Sequence, residues 1–160
     1  MLNKINKKII FYILFLISLV LVSSFFIEFV LGHKPCKLCI YQRVPYFVSL
    51  ILLANIFLFQ YQEKISLLLL GIIFFLGSIL AFYHTGIEQG FFTEFLTCSN
   101  TEFSETLTKN EVLEQLNEST ISCKDISFEI LGFSLATINT IFSIILSVIF
   151  IRLFINYGKN

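Results

Sequence analysis

The sequence predicts an all-α membrane protein, one domain over residues 1–160. It is a bundle of four transmembrane helices with two loops on one side and both termini on the other. Three observations predict this. Four long stretches are apolar and almost uncharged. Only 14% of residues are charged and mean hydropathy is +0.85, whereas soluble domains carry about 25% charge. All six tyrosines fall near the ends of the apolar stretches, where a ring that is apolar at one end and wet at the other marks the membrane interface.

Each stretch is long enough to cross. Helix one is expected over residues 9–31, with Glu28 as its one charge. Helix two is expected over 44–60, helix three over 65–83 and helix four over 130–151, all without charge. About 20 apolar residues span the roughly 30 Å of hydrocarbon, and backbone inside lipid must satisfy its own hydrogen bonds, which selects helices. Helix two is short on its own. A start near Cys36 would lengthen it but bury Pro45 in a helix, at the loss of an i→i−4 bond, so the start is open between Cys36 and Pro45. The first apolar run is too long for a cleaved signal peptide and has no small-x-small site near Ser23 and Ser24.

Charge orients the bundle. Lys4, Lys7, Lys8, Lys64, Arg152 and Lys159 fall on one side, against Lys34, Lys37 and Arg43 in the short loop 32–43. The larger basic share faces the cytoplasm, so both termini are expected there. The long outer loop, 84–129, holds nine acidic residues against Lys109 and Lys124. Thr108 and Glu111 in it have capping-box spacing, which suggests a short helix carrying Val112, Leu113 and Leu116. Eleven basic and eleven acidic residues balance to zero; a nucleic-acid binder would show a basic excess, and disorder would need far more charge.

Between helices, small residues are expected at the seams: Gly77 and Ala81 on helix three, and Gly132, Ala136, Thr140, Ser143 and Ser147 around helix four. Asn55 and Asn139 are expected to bond across the bundle.

The four cysteines all lie in the outer loops. Cys36 and Cys39 form a Cys-x-x-Cys pair in the first; Cys98 and Cys123 lie in the second. Two crossings separate the loops, so both pairs face one compartment. A c-type haem needs His after the second cysteine, where this chain has Ile40. Zinc favours two tight ligand pairs, and Cys98 and Cys123 are 25 residues apart, so no metal site is expected. A soluble thioredoxin fold needs βαβ alternation, which is absent. A redox-active dithiol remains. A helix N-terminus and a nearby cation favour a thiolate. Arg43, four residues after Cys39, is a permanent cation on the same face if the segment is helical. Two pairs facing one compartment suggest a relay, although Cys98–Cys123 as a purely structural bond would also stabilise its long loop by roughly 3–4 kcal/mol.

Residues Pro35-Cys36-Lys37-Leu38-Cys39-Ile40-Tyr41-Gln42-Arg43 resemble the first-loop signature of the DsbB family, the disulfide bond formation proteins of bacterial inner membranes. Tyr83-His84-Thr85-Gly86-Ile87-Glu88 is similar to the end of helix three in alphaproteobacterial members. Leu131-Gly132-Phe133-Ser134-Leu135-Ala136 is similar to the entry to helix four, and Cys98 and Cys123 fall where the family's second pair falls. The chain departs from relatives in having no Trp.

The resemblance implies a thiol:quinone oxidoreductase. A periplasmic DsbA-like oxidase is its partner, and a membrane quinone, ubiquinone or menaquinone, is its acceptor. Cys36, Cys39, Cys98 and Cys123 are then catalytic, with Arg43, His84 and Glu88 beside the quinone head, His84 and Glu88 handling protons. An oxidase near −120 mV could not be reoxidised by a static disulfide near −300 mV, which faces a deficit of about 180 mV, or about 8 kcal/mol. The quinone must supply the drive. Two other readings compete: a scaffold whose disulfides only stabilise loops, and a vitamin-K-epoxide-reductase-like enzyme. The second carries its Cys-x-x-Cys near the last helix, whereas here it precedes helix two.

Overall fold

The computed structural model describes residues 7–59, 62–93, 123, 129–130 and 132–157. Four helices run in chain order: α1 (Lys7–Phe29), α2 (Lys37–Phe59), α3 (Glu63–Glu88) and α4 (Leu135–Asn156). Each is long and apolar enough to cross a membrane. Strands β1 (Glu129–Ile130) and β2 (Phe133–Ser134) pair antiparallel just before α4, with Gly132 at φ +82° in the turn. Cys98 and the short helix expected after Thr108 lie outside the described residues.

Four helix ends lie five or more residues from the hydropathy reading, one of them the end of α4, at Asn156 rather than Ile151. Helix two starts at Lys37 rather than Val44, so Pro45 is inside it. Polar Lys37, Gln42 and Arg43 lower the hydropathy of turns that are nonetheless helical. The Pro45 ring packs where Gly77 of α3 leaves room; a Cβ at Gly77 would lie 3.3 Å from Pro45 Cγ. Helix three continues through His84 to Glu88, five residues past the apolar run. There Gly90, at φ +76°, donates to the Ile87 carbonyl, and Phe91 donates to the Gly86 carbonyl at 2.8 Å. This is the Schellman pattern that stops a helix. The Phe92 ring folds back over Gly86, 2.2 Å from where a Cβ would stand. Helix four starts at Leu135 instead of Ile130, because Ser134 caps it, its hydroxyl accepting from the Thr137 amide at 3.2 Å.

The helices pack α1 on α2, α2 on α3, and α3 most extensively on α4. The small residues expected at the seams are buried: Ala81, Ala136, Thr140, Ser143 and Ser147 on α3 and α4, and Gly77 against Pro45 of α2. Gly71 adds to the α3–α4 seam, with Ile151 of α4 2.9 Å from where its Cβ would be. Ser147 donates to the Gly71 carbonyl at 3.0 Å. Gly132 sits in the hairpin instead. At the end that holds the chain termini, Phe74 and Phe150 stack at 5.6 Å inside a core of Ile10, Leu67, Leu70 and Leu146. Asn55 is exposed on α2, whereas Asn139 bonds across to it.

Candidate functional site

The Cys-x-x-Cys spacing is also the spacing of a helix N-cap and its third residue. Cys36 occupies the cap of α2. Its carbonyl accepts from the Ile40 amide at 3.2 Å, and its sulfur accepts from the Cys39 amide at 3.3 Å. The same geometry brings Cys36 Sγ to 3.0 Å from Cys39 Sγ. Cys36 is buried and keeps its proton. The hydrogen bond it gives Cys39 and its burial push its thiol up to about 12. The Cys36 thiol donates to Cys39 Sγ, which lies in the first turn of α2, at the positive end of the helix.

Cys123 is the described cysteine of the second pair. It is buried in one cluster with Cys36, Leu38 and Ile87, and Cys39 packs against that cluster. The topology thus brings a cysteine of the long loop to the dithiol of the short one.

The two sulfurs of the dithiol face different surroundings. Cys39 lines a cavity of about 300 Å³, within the size range of small-molecule sites. Its walls come from α1 (Val20, Leu21, Ile27) and α4 (Ile138, Phe142), with α2 behind. The cavity lies between α1 and α4, two helices that make little close backbone approach to each other. Gln42, Arg43 and Asn139 also line it. Arg43 is paired with Glu28 of α1 and lies over the Phe25 ring at 4.9 Å. The cation expected beside Cys39 therefore shares its cavity but carries a carboxylate partner of its own.

Cys36 faces α3. His84 Nε2 is 3.4 Å from Cys36 Sγ, and Glu88 Oε1 is 3.7 Å from the same nitrogen. Glu88 also accepts from the Ser134 hydroxyl at 2.5 Å, which ties the end of α3 to the cap of α4. His84 and Glu88, expected at the same head group as Arg43, are not in the cavity wall. The extra turn of α3 places them behind the dithiol, against Cys36.

Three polar residues complete the site. Tyr46 donates to Asn139 Oδ1, Asn139 Nδ2 donates to Gln42 Oε1 at 2.7 Å, and Gln42 Nε2 donates to His84 Nδ1 at 2.8 Å. Sequence reading placed Tyr46 at the interface and gave Gln42 no role. Both are buried, because α2 begins two turns earlier. The signal was available in hindsight as three polar side chains on faces that a helical α2 and α4 turn inward.

Cys36, Cys39 and His84 also place their ligand atoms within 4.8 Å of one another. A metal would need the lone pair of Nε2. With Gln42 donating to Nδ1, that lone pair is on Nδ1, so the cluster as bonded is a hydrogen-bonded dithiol.

Two comparisons bear on these features. The family model described as "Disulfide bond formation protein DsbB" matches residues 6–153. An uncharacterized protein of Rickettsia prowazekii (strain Madrid E) is 27% identical over 161 residues, covering 99% of this chain and 93% of the relative. A match that runs through all four helices and both cysteine loops settles the family: the chain belongs to the DsbB disulfide bond formation proteins, multi-pass oxidoreductases of the bacterial inner membrane.

Proposed function

We propose that the chain reoxidises a reduced periplasmic DsbA-like oxidase and passes the two electrons to a membrane quinone. The observation that carries this reading is the split environment of the dithiol. Cys39 opens on an apolar cavity between α1 and α4, while Cys36 is buried beside Cys123.

The cavity suits a quinone head. Such a ring is planar and apolar on its faces, with carbonyl acceptors at its edge. Val20, Leu21, Ile138 and Phe142 offer the apolar walls, and Arg43, Gln42 and Asn139 offer N–H donors. When bound, the quinone accepts two electrons and two protons.

The protein's own steps are thiol–disulfide exchanges. A partner thiolate attacks Cys98, breaks the Cys98–Cys123 bond and leaves the electron pair on Cys123. Cys123 attacks Cys36, and the Cys36–Cys39 bond breaks with its pair on Cys39. The partner's second thiol resolves its bond to Cys98 and departs oxidised. Cys98 then attacks Cys123, restoring their bond and freeing Cys36. The Cys36–Cys39 dithiol now holds the two electrons, and its reoxidation at the cavity closes the cycle.

The test is quinone reduction by the purified protein with a reduced DsbA-like partner. In Cys36→Ser, the partner should still reduce the Cys98–Cys123 bond, read by thiol trapping, while quinone reduction falls to background. Quinone turnover that persists in this variant would sink the relay.

A further inference from the structure

The site contains an amide whose orientation decides what His84 shows to Cys36. Gln42 Nε2 donates to His84 Nδ1 at 2.8 Å, so that nitrogen is the acceptor and the ring proton is on Nε2. Nε2–H then points at Cys36 Sγ, 3.4 Å away. The orientation of Gln42 is itself fixed. Its carbonyl accepts from Asn139 Nδ2, and the Asn139 carbonyl accepts from the Tyr46 hydroxyl, with Ser143 Oγ a further donor at 3.5 Å. Two hydroxyls at one end of the chain thus set the proton position at the other. All of these groups are buried or partly buried, where an unmatched polar atom is costly, so a reversed amide is selected against.

We infer that Gln42 is a positioning residue: held by Asn139 and Tyr46, it keeps His84 as the neutral Nε2–H form, which donates a hydrogen bond to Cys36 whenever Cys36 is the leaving sulfur. This rests on the relay proposed above. In that relay Cys36 leaves once per cycle, when its bond to Cys123 breaks and the electron pair stays on Cys36 Sγ. No proton has to move. The nascent thiolate meets the N–H of His84 Nε2, and the Cys39 amide rejoins it once the sulfur is back over the first turn of α2. The other tautomer would present a lone pair to it. The charged and titratable groups around His84 agree with this assignment. Glu88 of α3 lies on the Nε2 side and favours a proton there. Cys36 and Cys39 of α2, and Cys123 in the same cluster, are on that side as well. Tyr46 acts only through Asn139 and Gln42, and Arg43 is held by Glu28.

Two measurements test it. The chain has two histidines, His33 and His84, so ring ¹⁵N spectra of the full protein in nanodiscs are assigned by comparison with a His33→Gln sample. The expected result is a protonated Nε2 and a bare Nδ1 on His84; a proton on Nδ1 overturns the inference. The second uses Gln42→Glu. A carboxylate at 42 accepts from Nδ1–H. The proton of the neutral ring should then appear on Nδ1 in the same spectra, leaving Cys36 without its donor. Quinone reduction by this variant should fall about tenfold below the unsubstituted protein, the size of one net hydrogen bond at the upper end of its range. A ring proton that moves to Nδ1 with quinone reduction unchanged would refute a positioning role. If the unsubstituted protein fails to reduce quinone, the relay is wrong, while the spectra still decide the tautomer.

Discussion

The two ends of the bundle are built on opposite rules. At the end that holds the termini, α3 and α4 close on each other through small residues, and the space they leave is filled by rings, Phe74 on Phe150. At the cysteine end the same two helices bury His84, Ser134 and Thr140, and α2 adds Gln42. Polar groups there are matched one by one, and among the described residues no buried side-chain polar atom lacks a partner. Helices in lipid have no hydrophobic drive to associate, so the apolar end must hold by shape. The polar end contributes hydrogen bonds, and it also contains a gap between α1 and α4. One end stabilises the bundle; the other keeps groups in place for exchange.

The contrast can be broken from either side. Phe150→Ala removes a fully buried ring far from the cysteines. A soluble core would lose roughly 3–5 kcal/mol. Here the unfolded helices stay in lipid, so the loss reduces to packing, about 2 kcal/mol. Unfolding in mixed micelles should show it, with the quinone reduction rate per folded molecule unchanged. Asn139→Leu is the converse case. It strands the Gln42 carbonyl and leaves the Tyr46 hydroxyl with Ser143 Oγ at 3.3 Å, at about 1–2 kcal/mol, and should also slow quinone reduction. If the rate per folded molecule held, the polar end would be packing like the other.

Smaller effects sharpen the picture. Cys36 holds its proton up to about 12, so in the reduced protein its thiolate fraction is small throughout the neutral range. Its alkylation should rise about tenfold per pH unit from pH 7 to 10 without levelling, whereas an ordinary thiol near about 8.5 levels off. Mass spectrometry of the peptide reads this directly, and a plateau near pH 9 would contradict the hydrogen-bonded arrangement. The least change is expected from Glu28→Gln. The Arg43–Glu28 pair is partly exposed, and such pairs contribute about 0.2–1 kcal/mol. Stability should shift within that range, and a larger loss would make the pair a structural tie between α1 and α2.

What was legible in the sequence follows the range of the interactions. Hydropathy is local, and it located all four helices. The dithiol was legible because Cys-x-x-Cys is local too. Helix ends were read short where polar residues continue a helix, as at Lys37 and at His84 to Glu88. The seam glycine Gly71 was missed, since one glycine in an apolar run looks like any other. The links of Asn139 to Gln42 and Tyr46 join residues almost a hundred positions apart, and no spacing rule connects them. Arg43 was readable as a cation near Cys39, but its partner on α1 was visible only once α1 and α2 were packed. Cys98 lies outside the described residues, so the second pair is known here from Cys123 alone.

The sulfur that caps α2 is the one the proposed relay would move. While Cys36 accepts from the Cys39 amide, the first turn is closed. If Cys36 turned toward a cysteine of the long loop, that acceptor would be withdrawn, and losing a cap costs a helix about 1 kcal/mol. The backbone would then keep a record of the electron inventory. Deuterium uptake at the Cys39 amide would report, without touching a thiol, which partner Cys36 holds at that moment.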